Sequence, residues 1–136
     1  MENSPFRLRH QDAGIADSTE RLLKQVIGAG MTVSNTLGAG YLEAVYRRAL
    51  AVELICSGIP VDQERPFRVM YRGEMVGSYQ ADLVIAEQVI VETKACEGLT
   101  DAHVGQLLNY LKCSGLRAGL LMNSGKPRMQ FRRVVF

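Results

Sequence analysis

Residues 81–94 read ADLVIAEQVIVETK, and the fold is decided by how this stretch is read. Two apolar runs, Leu83-Val84-Ile85 and Val89-Ile90-Val91, flank the break Ala86-Glu87-Gln88. Runs of this length around a short polar turn predict a β-hairpin. The second run is continuously apolar, as expected of a central strand covered on both faces. Strand side chains alternate faces, so Glu92 and Lys94 point the same way and the hairpin returns Asp82 toward them. Burying two carboxylates and an ammonium is costly unless they pair or hold a cation.

Beyond the hairpin, residues 100–114 repeat Val104, Leu107, Leu108 and Leu111 at helical spacing, with Gly115 as the stop. Residues 117–122 form another apolar strand, Asn123-Ser124-Gly125-Lys126-Pro127 a loop, and 129–135 a last strand. Upstream, Phe67, Val69 and Tyr71 alternate with Arg68, Met70 and Arg72, a half-exposed strand that turns at Gly73 into 75–85. Two helices come first. One starts at Asp17, with Glu20 three residues on as in a capping box, and runs through Leu22, Leu23, Val26, Ile27, Met31 and Val33 toward Gly38. The other covers 41–57, with Leu42, Val45, Ala49, Val52 and Cys56 as its core stripe. Residues 1–15 lack a period and read as a flexible tail, leaving 16–136 as a single domain. The order α-α-β-β-β-α-β-β implies an α/β (α+β mixed) architecture, a central mixed sheet flanked by helices.

Apolar residues make up 47% and charged residues 22% of the 136, the balance of a globular protein with a sizeable core. The net charge of +2 does not by itself indicate nucleic acid, but it is unevenly spread. Nine basic and twelve acidic residues precede Lys94, whereas seven basic and two acidic ones lie from Lys94 onward. A basic C-terminal half fits a polyanionic partner, but from charge alone ordinary solvated surface charge is the preferred reading. Three cysteines without CxxC spacing argue against a disulfide scaffold, a zinc ribbon or a four-cysteine cluster. The N-terminus MENSPFRLRHQD is polar, and no apolar run reaches the roughly 18–20 residues of a membrane span. The expectation is a cytoplasmic protein with no membrane partner.

Asp82, Glu92 and Lys94 are the first candidates to carry chemistry. The two carboxylates suit a hard divalent cation, Mg2+ or Mn2+, and Lys94 would orient or deprotonate an attacking water or steady a phosphate. The plainer alternative is a buried ion pair of Lys94 with one carboxylate, which leaves one acid over. Glu43 and Tyr46 share a helix face at i and i+3, beside the expected core stripe, so Glu43 is a further ligand candidate or a solvated glutamate near a helix start. Gln106 and Tyr110, at i and i+4, would edge the cleft or simply line a half-buried helix. His103 reads as a helix-start residue. No phosphate-binding loop and no nucleophile elbow is present.

These residues add up to a known pattern. Gly40-Tyr41-Leu42-Glu43-Ala44-Val45-Tyr46 matches GxxExxY. Together with YLEAVYRRALAVEL, YQADLVIAEQVIVETKA, QLLNYLKCSGLRAGLLMNSG and FRRVVF, it resembles the bacterial GxxExxY protein family, assigned to the PD-(D/E)XK nuclease superfamily. The resemblance spans about residues 18 to 136 and implies a restriction-endonuclease-like fold. It casts Glu43 as the helix acid, Asp82 and Glu92 as metal-binding acids, Lys94 as the catalytic lysine and Gln106 as the polar residue of the next helix. Tyr110 accompanies Gln106 in the glutamine–tyrosine motif, and Tyr46, Tyr110, Lys126 and Arg128 are the expected nucleic-acid contacts. Two departures stand out: Ala39 where relatives carry proline, and Thr93 where a large apolar residue is common, read as a small packing change. The implied activity is Mg-dependent hydrolysis of DNA phosphodiesters, with RNA as a lesser option. The alternative is a non-catalytic nucleic-acid-binding or partner-dependent module of the same fold, acting as a homo-oligomer or with another protein.

Overall fold

The computed structural model describes residues 14–136, so the expected tail lies outside the described residues except for its last two positions. Those two are anchored: the Gly14 carbonyl accepts from Arg117 Nη1 at 2.7 Å, and Ile15 packs against the core. Helix α1 (Asp17–Leu37) and helix α2 (Glu43–Cys56) lead into strands β1 (Val61–Tyr71), β2 (Glu74–Ile85) and β3 (Val89–Lys94). Helix α3 (Asp101–Ser114) then crosses to β4 (Ala118–Asn123), and β5 (Gln130–Val135) closes the order expected from the sequence.

The strands form one five-stranded sheet in the order β1-β2-β3-β4-β5. All neighbours are antiparallel except β3 and β4, which run parallel because α3 carries the chain back between them. The sheet is a mixed one with helices on both faces. Leu83, Ile85, Val89, Val91, Leu120 and Met122 pack against Leu23, Val26, Tyr46 and Leu50 of α1 and α2. Val84, Ile90 and Leu121 pack against Leu107, Tyr110 and Leu111 of α3 on the other face. Helix α3 lies close to the sheet because residue 119 is glycine: a Cβ there would stand 2.8 Å from Leu107 Cδ2.

Local details differ from the sequence reading. Helix α1 begins one residue earlier in role: Ala16 is the N-cap, no side chain caps it, and Glu20 bonds Arg133 Nη2 at 2.8 Å instead. In α2 the buried face is Tyr46, Leu50, Ala51 and Leu54. Of the expected stripe, Ala49 packs partly buried against the core and Val45 is half-buried, whereas Leu42 is 80% and Val52 62% exposed, and Cys56 is exposed. The helix carries apolar residues on more than one face, and the sheet takes the one that includes Tyr46. That choice matters, since Glu43 lies at i−3 from Tyr46 and so stands over the sheet at the head of the buried face. The start of α3 is a capping box in which Thr100 and His103 bond reciprocally, so His103 is a helix-start residue as expected. Among the described residues, no helix is long and apolar enough to cross a membrane.

Candidate active site

The site begins where the β2–β3 ladder ends. Backbone pairing runs from Ile85↔Val89 to Leu83↔Val91, and beyond it side chains replace the ladder. Ala81 packs on the α3 side while Leu83 packs on the α1/α2 side, so the period-two alternation slips at Asp82. The β1 residue opposite is Glu64, between the pairs Gln63↔Leu83 and Arg65↔Ala81, and its φ of 54° marks the same irregularity.

At the slip, Asp82 N–H donates to Glu92 Oε2 at 2.9 Å. In return Asp82 Oδ2 accepts from Thr93 N–H at 2.8 Å and from Thr93 Oγ1 at 3.0 Å. Thr93 Oγ1 also lies 3.4 Å from Glu43 Oε2, which brings the helix acid to the strand acids. Asp82 Oδ1 and Glu92 Oε1 accept no hydrogen bond among the described residues.

Electrostatics follow from this crowding. Glu92 is only 3% exposed. Burial, then the Asp82 carboxylate, push its pKa up to about 8, against the opposing pull of the Asp82 N–H and of Lys94. Tyr110 is pushed up to about 12, by burial first and then by the Glu92 and Asp82 carboxylates. Lys94 does not neutralise either acid by contact. Its Nζ donates to Gln106 Oε1 at 2.9 Å, and among the described residues it forms no ion pair within 4.0 Å. The buried-ion-pair alternative is therefore not how these strands are built. Gln106 presents its amide oxygen to Lys94, leaving its NH2 without a partner among the described residues.

The segment after Lys94 is held by the loop after β4. Ser124 N–H and Oγ both donate to the Lys94 carbonyl, at 2.8 and 3.2 Å. Asn123, fully buried, accepts from Cys96 N–H and Gly125 N–H and donates to the Cys96 carbonyl, each at 3.0 Å. Gly125 approaches so closely that a Cβ would sit 2.2 Å from the Cys96 carbonyl oxygen. The exposed Lys126 follows at once, beside the Lys94–Cys96 segment. Arg128 is placed differently, lining a cavity of about 330 Å3 against Met31, Ser34 and Asn35 of α1.

Two sequence assignments need correction. Tyr46 is 1% exposed, donates to the Gly38 carbonyl at 2.6 Å and accepts from Tyr41 N–H at 3.1 Å. It locks the α1–α2 turn and has no surface for nucleic acid. Tyr110 is also buried, its ring edge-on to Tyr79 with centroids 5.3 Å apart, so it offers no open stacking face. Thr93 and Asn123 went unrecognised as site residues. The NSGKP turn signal marked the second, and the short polar side chain in an apolar strand was the only mark of the first.

The carboxylates can take a hard cation. Two of them converge, one deeply buried, with an oxygen on each that accepts no hydrogen bond and with no ion pair within 4.0 Å among the described residues. Among the described residues no group of three or more His, Cys, Asp and Glu side chains is placed to hold a metal ion. Magnesium is commonly held by one or two carboxylates, waters and substrate phosphate, so a two-carboxylate set fits it.

Comparison with known proteins agrees with the fold. The family profile described as PD-(D/E)XK nuclease superfamily matches residues 20–134. No curated protein matches the chain. Among solved structures, SSO0001 superposes with a TM-score of 0.54 at 17% identity, over 87% of this chain and 61% of that one. The chain thus spans less than two thirds of that protein, and the likeness is one of fold.

Proposed function

Because the chain belongs to the PD-(D/E)XK nuclease superfamily, we propose that it hydrolyses nucleic-acid phosphodiester bonds with a divalent cation at Asp82 and Glu92. Within the superfamily, the likeness of the run from Gly40 to Tyr46 to GxxExxY supports a finer placement in that group. The observation that carries the reading is the Asp82–Glu92 pair: two hydrogen-bonded acids that, among the described residues, contact no countercharge, beside a lysine held by an amide. When bound, the cation supplies Lewis acidity toward the scissile phosphate and lowers the pKa of a bound water. Glu43, tied in through Thr93, stands ready as a third acidic group. Lys94, oriented by Gln106, places its ammonium beside the acids, where it positions the attacking water or stabilises phosphate charge. The Gln106 NH2, unpartnered among the described residues, and the ammonium of Lys126 would contact the backbone of the strand. Magnesium is the natural occupant and DNA the preferred substrate, with manganese and RNA as comparison arms.

The test is cleavage of labelled single- and double-stranded DNA and of RNA by the purified protein with Mg2+ or Mn2+, with chelator and Lys94→Ala as controls. The reading expects metal-dependent cleavage that Lys94→Ala lowers by roughly 10²-fold or more. Identical behaviour of the two proteins on every substrate would contradict it. Salt-dependent binding without cleavage would instead favour the non-catalytic module.

A further inference from the structure

Thr93 lies in the layer packed by α1 and α2, on the strand face opposite Glu92 and Lys94, and is 2% exposed. Its strand neighbour on that face, Val91, is wholly buried and apolar. Packing alone would be served by valine, which has the same shape. A buried hydroxyl in such a layer is costly unless it is bonded. Here it is bonded to the acids: at 3.0 Å to Asp82 Oδ2 and at 3.4 Å to Glu43 Oε2.

The arrangement does two things. Thr93 N–H and Oγ1 converge on one oxygen of Asp82, which fixes that carboxylate and leaves Oδ1 without a hydrogen bond among the described residues. The same hydroxyl spans from strand to helix, across fifty positions of sequence, and registers Glu43 on the pair. A hydroxyl has a single proton, so it donates to one carboxylate at a time. Glu43 and Asp82 compete for it, and whichever is not served has an oxygen to offer a cation.

We propose that Thr93 is a positioning residue for a hard divalent cation: it sets which oxygen of Asp82 faces the metal and holds Glu43 within reach. The inference rests on the metal-site reading above. Direct Mn2+ binding to the full chain, followed by electron paramagnetic resonance at pH 8, tests it without recourse to activity. Thr93→Val should bind Mn2+ roughly 10–100-fold more weakly, the usual cost of removing a partner that orients a ligand. Thr93→Ser, which keeps the hydroxyl, should recover most of that loss. If valine does not fold, Thr93→Ala carries the same comparison. Wild-type affinity in the valine or alanine variant overturns the proposal, as does a serine variant as weak as valine, which would make the effect one of packing. Absence of Mn2+ binding by the wild type overturns the metal-site reading as well, so the two failures are told apart.

Discussion

Replacing Glu92 with glutamine removes one ionisable group from the centre of the fold while keeping an oxygen to accept from Asp82 N–H. In the metal-free protein the folded-state pKa of about 8 stands above the ordinary carboxyl value of 4.5. The folded chain therefore holds a proton that the unfolded chain has released, and stability falls as pH rises through that window. The loss begins near pH 4.5, grows up to about pH 8 and is complete above it, reaching at most about 5 kcal/mol. Between pH 6 and 9 the share due to Glu92 is roughly 2–3 kcal/mol. Urea denaturation in chelator at pH 6 and 9 reads it directly. Wild type should lose that much more stability than Glu92→Gln over the interval, and the variant should be the more stable protein at pH 9. Saturating Mn2+ should restore wild type at pH 9 by about 2.7 kcal/mol at a hundred times its Kd and leave the variant unmoved. Parallel pH profiles for the two proteins would refute the claim that Glu92 is desolvated and crowded by Asp82.

Tyr46→Phe removes the hydroxyl that holds Gly38 and Tyr41; it should cost about 1–3 kcal/mol in urea denaturation and leave oligonucleotide affinity unchanged. Gly125→Ala forces a Cβ onto the Cys96 backbone. It should lower stability by about 1–3 kcal/mol, and slow cleavage at temperatures where the variant is fully folded, because the loop that holds the Lys94 carbonyl must shift; assays at matched folded fraction check this. Lys94→Ala should abolish most cleavage while retaining Mn2+ binding, since Lys94 contacts Gln106 rather than either acid; binding isotherms run beside cleavage assays separate the two effects.

Much of the architecture was legible because it rests on local signals. The hairpin from β2 to β3 follows from two apolar runs and a polar break, and the end of α3 from a glycine that adopts φ of 79° at Gly115. The convergence of Asp82 on Glu92 follows from strand alternation and a short turn. What stayed hidden depends on contacts between layers. Helix α2 has apolar residues on several faces, and only the sheet decides that Tyr46, Leu50 and Leu54 go inward while Leu42 and Val52 remain outside. Tyr46 looked like a surface partner of Glu43 because nothing local shows its hydroxyl reaching the Gly38 carbonyl. Thr93 looked like a packing change for the same reason: its two carboxylate partners are 11 and 50 positions away. Lys94 was expected to face an acid or a water, and its amide partner on α3 emerges only once the crossover helix is placed over the strand.

The measurement that bears most directly on the central claim is a crystal structure of the protein soaked in Mn2+, with data collected at the manganese absorption edge. The account predicts an anomalous peak in contact with Asp82 Oδ1 and Glu92 Oε1, with Glu43 reaching it directly or through water and Lys94 alongside. A fully occupied soak with no peak at these carboxylates, or one in which Lys94 Nζ has moved to pair with Asp82 or Glu92, would contradict it.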